Sequence, residues 1–211
     1  MTARRSGKDV LRWLAIGSCV LAMVASCGPD PIPGALEGAV RTPPLVVASV
    51  SLPEVGSSNA PLTMRARPSE LYLVYFGYTS CPDVCPTTMS DISVALGGLT
   101  PATAARVTVA MVTVDPDRDT PEILTGYLGH FFDHSIALRT TDAAQLATAA
   151  NAFGVKFEVG AHAPGEAYNV AHTAVTYVVD DTGTVVDEWP FGLATAAMTS
   201  DLTTLLDKER T

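Results

Sequence analysis

The run Leu71-Tyr-Leu-Val-Tyr-Phe-Gly-Tyr-Thr-Ser-Cys-Pro-Asp-Val-Cys-Pro86 constrains this chain more than any other stretch. Its first part, Leu71 to Phe76, is apolar, aromatic and β-branched, which predicts a buried strand. Gly77 breaks the strand into a short loop carrying two thiols, Cys81 and Cys85. A helix is expected next, and two prolines limit where it can begin. If Pro82 and Pro86 both lay in one regular helix, Pro86 would lack the N–H owed to the carbonyl of residue 82. Cys81 is therefore expected in the loop and Cys85 at the helix start, with Pro86 at the first helical position. The helix should run through Met89, Ile92, Val94 and Leu96 to Gly97-Gly98. At that end of the helix dipole Cys85 would be favoured as a thiolate. Four-residue spacing also lets the sulfurs share a ligand or close a disulfide.

The beginning of the chain looks like a processing signal. Arg4, Arg5, Lys8 and Arg12 precede an apolar stretch, Trp13 to Val24, shorter than the ~20 residues that span a bilayer. Val24-Ala25-Ser26-Cys27 resembles the lipobox of bacterial lipoproteins, in which cleavage precedes a cysteine that then carries lipid. The expectation is a signal over residues 1–26, lipid on Cys27, and anchorage to the outer face of the cytoplasmic membrane. A plain secretory signal and an uncleaved anchor are the alternatives, and all three place the remainder outside the cytoplasm. Residues 27–44 are rich in Pro and Gly and read as a tether. Residues 45–211 are the length of one domain. The whole chain has a formal net charge of −9, and losing four basic residues and Asp9 with the leader brings it to −12. Such a surface argues against nucleic acid as a partner. With Cys19 removed and Cys27 acylated, only Cys81 and Cys85 remain in the domain. A bridge between them would close almost no loop, so a redox or metal role is favoured over a stapling one.

Leu45–Leu52 and Pro61–Arg65 read as early strands, and Val107–Val114 as a strand buried on both faces. Asp115-Pro-Asp-Arg-Asp-Thr-Pro121 is a turn into a helix capped by Asp119 or Thr120, with Ile123, Leu124, Tyr127, Leu128 and Phe131 along one side. Ile136–Arg139 reads as a short strand. Asp142 caps a further helix, which Gly154 closes, and Val155–Val159 is another strand. Thr173–Val179 and Thr184–Trp189 form a hairpin about Asp180–Gly183, and a last helix reaches Lys208. This order predicts an α/β fold with a mixed central sheet and helices on both faces. It is the thioredoxin-like plan, with an extra strand and helix before the closing half. The thiols fall at the carboxyl end of a strand, where open α/β sheets place their chemistry.

Two thiolates suit Cu(I) or Zn(II) but do not complete a site. The third ligand would be a histidine: His130, His134, His162 or His172. His130 and His134 read as helix-end residues and His162 as a loop residue. His172 precedes an apolar strand whose start the fold brings against the dithiol. Asp115, Asp117 and Asp119 are more economically turn and cap residues than a hard-metal cluster.

Phe76-Gly-Tyr-Thr-Ser-Cys-Pro-Asp-Val-Cys-Pro86 resembles the signature of the SCO/SenC family, thioredoxin-fold copper proteins that serve cytochrome c oxidase assembly. Val114–Pro121, Tyr168-Asn-Val-Ala-His-Thr173 and Tyr177–Gly183 extend the resemblance. It implies copper ligation by Cys81, Cys85 and His172, and a redox disulfide between the two cysteines. It implies Cu(I), with Cu(II) also open, and as partners the copper-binding subunit of cytochrome c oxidase, at its two-copper centre, and a thiol-reductant protein. The chain departs from the family at Ala171, where an acid usually stands that could orient the imidazole. It also lacks the usual Gly-rich first hairpin. The main rival is an enzyme, a thiol–disulfide oxidoreductase acting on a partner's cysteines. Against it stand the C-x-x-x-C spacing and the lack of a proline just before Thr173. A peroxiredoxin-like peroxidase fits worse, because its Pro and Thr are missing ahead of either cysteine. A redox or copper sensor acting by partner binding is a third reading.

Overall fold

A strand buried at every position must lie inside a sheet that is covered on both faces, and Leu71–Gly77 is buried throughout. The computed structural model describes residues 34–56, 60–163 and 166–208. The leader, Cys27 and the first part of the tether lie outside them. In chain order the elements are β1 (Ser51–Pro53), β2 (Pro61–Thr63), β3 (Leu71–Gly77), α1 (Val84–Gly97), α2 (Pro101–Ala104), β4 (Val107–Thr113), α3 (Pro121–Leu128), β5 (Ser135–Leu138), α4 (Ala143–Ala152), β6 (Phe157–Val159), β7 (Val170–His172), β8 (Val175–Val179), β9 (Val185–Pro190) and α5 (Thr195–Lys208). Among the described residues no helix is long and apolar enough to cross a membrane.

The central sheet has the order β5-β4-β3-β8-β9. β3 and β4 pair in parallel, as do β4 and β5, whereas β8 runs antiparallel to both β3 and β9. This is the mixed thioredoxin-like sheet that the element order predicts. α1 packs on α5, and α3 lies along β5. Phe153, at the end of α4, stands 5.2 Å from both the Phe76 and Tyr177 rings, centroid to centroid. It thereby joins the parallel and antiparallel halves in one core.

Several local expectations give way. The strand expected over Leu45–Leu52 shrinks to β1, while Leu45–Val47 lie against the β8–β9 turn through backbone bonds to Gly183 and Val185. β1 and β2 do pair as a hairpin, so the segment before Leu71 is not stripped of its first hairpin. α2 stands between α1 and β4, where Thr100-Pro101 reads in the sequence as opening only a brief connection. α3 ends at Leu128 rather than reaching Phe131, because Gly129 caps it. β6 leaves the central sheet and pairs only with β7 among the described strands. Part of the supposed tether is docked. Glu37 and Gly38 donate their N–H groups to Asp201 of α5 (2.8 and 3.1 Å), and Arg41 forks onto Glu188.

The β8–β9 turn carries a testable constraint. Asp180 Oδ1 accepts from Thr182 N, Thr182 Oγ1 and Thr184 N. Gly183 closes the turn with φ +77°, and a Cβ there would meet Ala48 Cβ at 2.5 Å and Ala48 Cα at 2.7 Å. Gly183→Ala adds left-handed strain to overpacking against backbone. It is expected to cost about 2–5 kcal/mol in urea unfolding; a loss under ~1 kcal/mol would contradict the contact.

Candidate metal centre

β3 delivers the site and α1 shapes it. The chain leaves β3 at Gly77, where a Cβ would lie 3.0 Å from Cys85 Sγ and 2.6 Å from Tyr75 Cε1. Only a residue without a side chain lets the strand end pass this close to the thiol. α1 begins at Val84 with Asp83 as N-cap, so Pro86 sits at its third position rather than its first. The first turn has no intrahelical partners for its N–H groups, so a proline anywhere in it forfeits no helix hydrogen bond. One of those free N–H groups, that of Cys85, donates to Cys81 Sγ at 3.3 Å.

Cys85 is fully buried and Cys81 partly exposed; both are free thiols. Burial pushes the Cys85 thiol up to about 12, overriding the hydrogen bonds from Tyr78 and Tyr75 that favour the thiolate. The expectation of a dipole-stabilised Cys85 thiolate therefore fails, because desolvation outweighs the helix N-terminus. A metal that takes this sulfur must displace its proton. Tyr75 Oη donates to Cys85 Sγ at 3.6 Å, and the Tyr75 phenol is itself raised, mainly by burial and then by the Cys85 charge.

His172 precedes the apolar strand β8, as expected, and is itself the last residue of β7, a short strand the sequence does not announce. Its Nε2 lies 3.3 Å from Cys85 Sγ. Its Nδ1 faces the carbonyl of Thr173 at 3.2 Å. A carbonyl only accepts, so Nδ1 carries the proton and Nε2 turns its lone pair to the thiols. This carbonyl supplies the orienting partner that an acid at position 171 would otherwise provide. Burial lowers the His172 pKa, against the pull of the Thr173 and Phe76 carbonyls, which keeps the ring neutral and able to ligate. Tyr75 and Tyr78 hold it edge-on, at centroid distances of 5.9 and 5.8 Å. Ala171 faces Glu158 directly across the β6–β7 ribbon.

Among the described residues, Cys81, Cys85 and His172 form one group whose ligand atoms all lie within 4.8 Å of one another. Two sulfurs and an imidazole nitrogen are a soft set that fits Cu(I) or Zn(II). The group opens on one side into a cleft of about 310 Å³ lined by Tyr78, Cys81, Pro82, Asn169 and His172. His130, His134 and His162 stand apart from it. His130 and His134 are exposed, and His162 stacks on Tyr168 at 3.7 Å. Two of the three carboxylates of the 115–119 turn are otherwise engaged, and Asp117 is exposed. Asp119 accepts from Thr79 and Thr113, Asp115 from Arg118 and Tyr168, and Thr120 is the α3 cap. Tyr75, Tyr78, Arg118 and Tyr168 surround the site without being singled out by sequence reasoning. Polar-tipped aromatics inside an otherwise apolar strand are the signal that points to the first of them.

The SCO1/SenC family profile matches residues 55–207. A Stutzerimonas stutzeri protein whose name proposes copper binding is 30% identical over 156 residues, 74% of this chain and 76% of that protein. Against the SCO2-like protein of Rickettsia prowazekii the match spans 55% of the relative's length. Among solved structures, apo Sco1 from Thermus thermophilus superposes with a TM-score of 0.69 at 33% identity, covering 81% of this chain and 97% of that one. Bradyrhizobium japonicum ScoI with copper bound gives a TM-score of 0.62 at 29% identity, covering 80% and 98%. This chain belongs to the SCO1/SenC family.

Proposed function

We propose that this protein binds one copper ion through Cys81 Sγ, Cys85 Sγ and His172 Nε2 and hands it to the two-copper centre of a cytochrome c oxidase. The observation that carries the reading is the soft, pre-gathered donor set, with all three ligand atoms within 4.8 Å. Cu(I) accepts such low coordination. The two thiols differ in access, one fully buried and one on the rim, so a partner's ligand can approach the metal from the Cys81 side. Oxidation to a Cys81–Cys85 disulfide would remove both sulfurs, leaving loading under the control of a thiol reductant. The basic leader and Cys27 support an exported, lipid-anchored protein at the outer face of the cytoplasmic membrane.

The test is copper stoichiometry and affinity of the reduced full-length chain beside His172→Ala. The wild type is expected to retain one copper. The variant should hold it at least ~100-fold more weakly, as losing a ligand exceeds the effect of losing an outer partner. Copper binding indifferent to His172, together with rapid turnover of a protein disulfide, would replace the chaperone with a thiol–disulfide oxidoreductase.

A further inference from the structure

The run Asp115-Pro-Asp-Arg-Asp119 lies outside the donor set, yet its side chains reach both segments that carry donors. On one side Asp119, fully buried, accepts from Thr79 N at 3.1 and 3.2 Å and from Thr79 Oγ1 at 2.5 Å. Thr113 Oγ1 steadies it at 2.6 Å. Thr79 stands two residues ahead of Cys81. On the other side Arg118 Nη1 donates to the Tyr168 carbonyl at 2.9 Å, and the guanidinium lies 3.7 Å from the Tyr168 ring centroid. Arg118 Nε pairs with Asp115, and Tyr168 Oη donates to the other Asp115 oxygen at 2.7 Å. Tyr168 stands four residues ahead of His172. The same guanidinium lies 5.5 Å from the Tyr78 ring, which in turn meets the His172 imidazole edge-on.

The His172 segment needs outside support. β7 is three residues long and pairs with the equally short β6, and a two-stranded ribbon of that size is marginal alone. Planar bidentate contacts and stacking are what a guanidinium supplies and an ammonium does not.

We propose that Arg118, braced by Asp115, is a positioning residue that pins Tyr168 and so sets how closely His172 approaches the dithiol, while Asp119 fixes the Cys81 side of the same gap. The metal consequence rests on the copper reading; the geometric one does not.

Amide hydrogen exchange of the reduced, metal-free full-length protein tests the geometry. In Arg118→Met, exchange at Val170–Thr173 is expected to quicken at least ~10-fold while β3 and β4 keep their protection. Copper affinity should fall about 10- to 100-fold. In Cu(II)-loaded protein the imidazole nitrogen coupling should weaken while sulfur-to-copper charge-transfer bands persist. Unchanged exchange in β7 overturns the proposal, and so does faster exchange with unaltered copper affinity and nitrogen coupling. Faster β7 exchange in a protein whose wild type takes up no copper would uphold the positioning role and sink the copper reading instead. If Arg118→Met also loses protection in β3 and β4, Tyr168→Phe decides. It keeps the stacked ring but loses the O–H to Asp115. It should quicken β7 exchange by about 2- to 10-fold, and no change would overturn the proposal.

Discussion

Treated with a small alkylating reagent at pH 8, the reduced, metal-free protein is expected to lose its Cys81 thiol at least ~100-fold faster than its Cys85 thiol. Alkylation consumes the thiolate. With its pKa pushed up to about 12 by burial, Cys85 is ionised in only about one molecule in 10,000 at that pH. Full burial of Cys85 adds a steric barrier, whereas Cys81 lines the open cleft. Among the described residues, the one helix N–H found on a ligand sulfur, that of Cys85, goes to Cys81, so α1 serves the outer sulfur. Mass spectrometry of peptides after timed labelling would read the ratio. Equal rates are expected in denaturant, where both thiols are exposed. Equal rates in the native protein would mean that the helix N-terminus defeats burial at Cys85.

That ordering bears on both chemical readings. A reductase would attack through the accessible sulfur and resolve through the buried one. A copper carrier would meet its partner through the same outer sulfur, with the inner pair of Cys85 and His172 holding the ion longest. Copper added before labelling should protect Cys81 under the second reading and leave it reactive under the first.

The parts of this arrangement visible in the sequence are those written in contiguous residues. Leu71–Phe76 is apolar without interruption, so β3 and the thiol loop at its end could be placed from pattern alone, and the element order then fixes which strand faces the dithiol. His172 is legible through that order. Its secondary structure is not, since Val170–His172 is too short to show a period. The start of α1 is off because a proline fits anywhere in a first turn. The Cys85 thiolate is misjudged because a dipole is local and predictable, whereas desolvation depends on what the whole fold packs over the sulfur. The docking of the far end of the tether goes unseen for a similar reason. Nothing near Glu37 announces that Asp201, over 160 residues away, accepts its N–H.

That distant pairing leads to the second large effect, which is on stability. Asp187 on β9 and Asp201 on α5 are both buried, with Asp201 accepting from Glu37 and Gly38 and Asp187 from Glu188 N and Trp189 Nε1. Burial, followed by the hydrogen bond and charge of Asp201, pushes the Asp187 carboxyl up to about 7. Arg41, in the same docked segment, pairs with Glu188. A carboxyl with a raised folded pKa favours folding while it is protonated. Its contribution is complete below the unfolded value near 4 and is lost as pH climbs through about 7. The loss is on the order of 4 kcal/mol. Asp187→Asn removes the titration but forfeits an acceptor for one of the two N–H donors, at about 1 kcal/mol. In urea unfolding the wild type should therefore be the more stable protein at pH 4 and the variant the more stable at pH 8. Parallel curves across that range would show that Asp187 ionises in the folded protein at no cost.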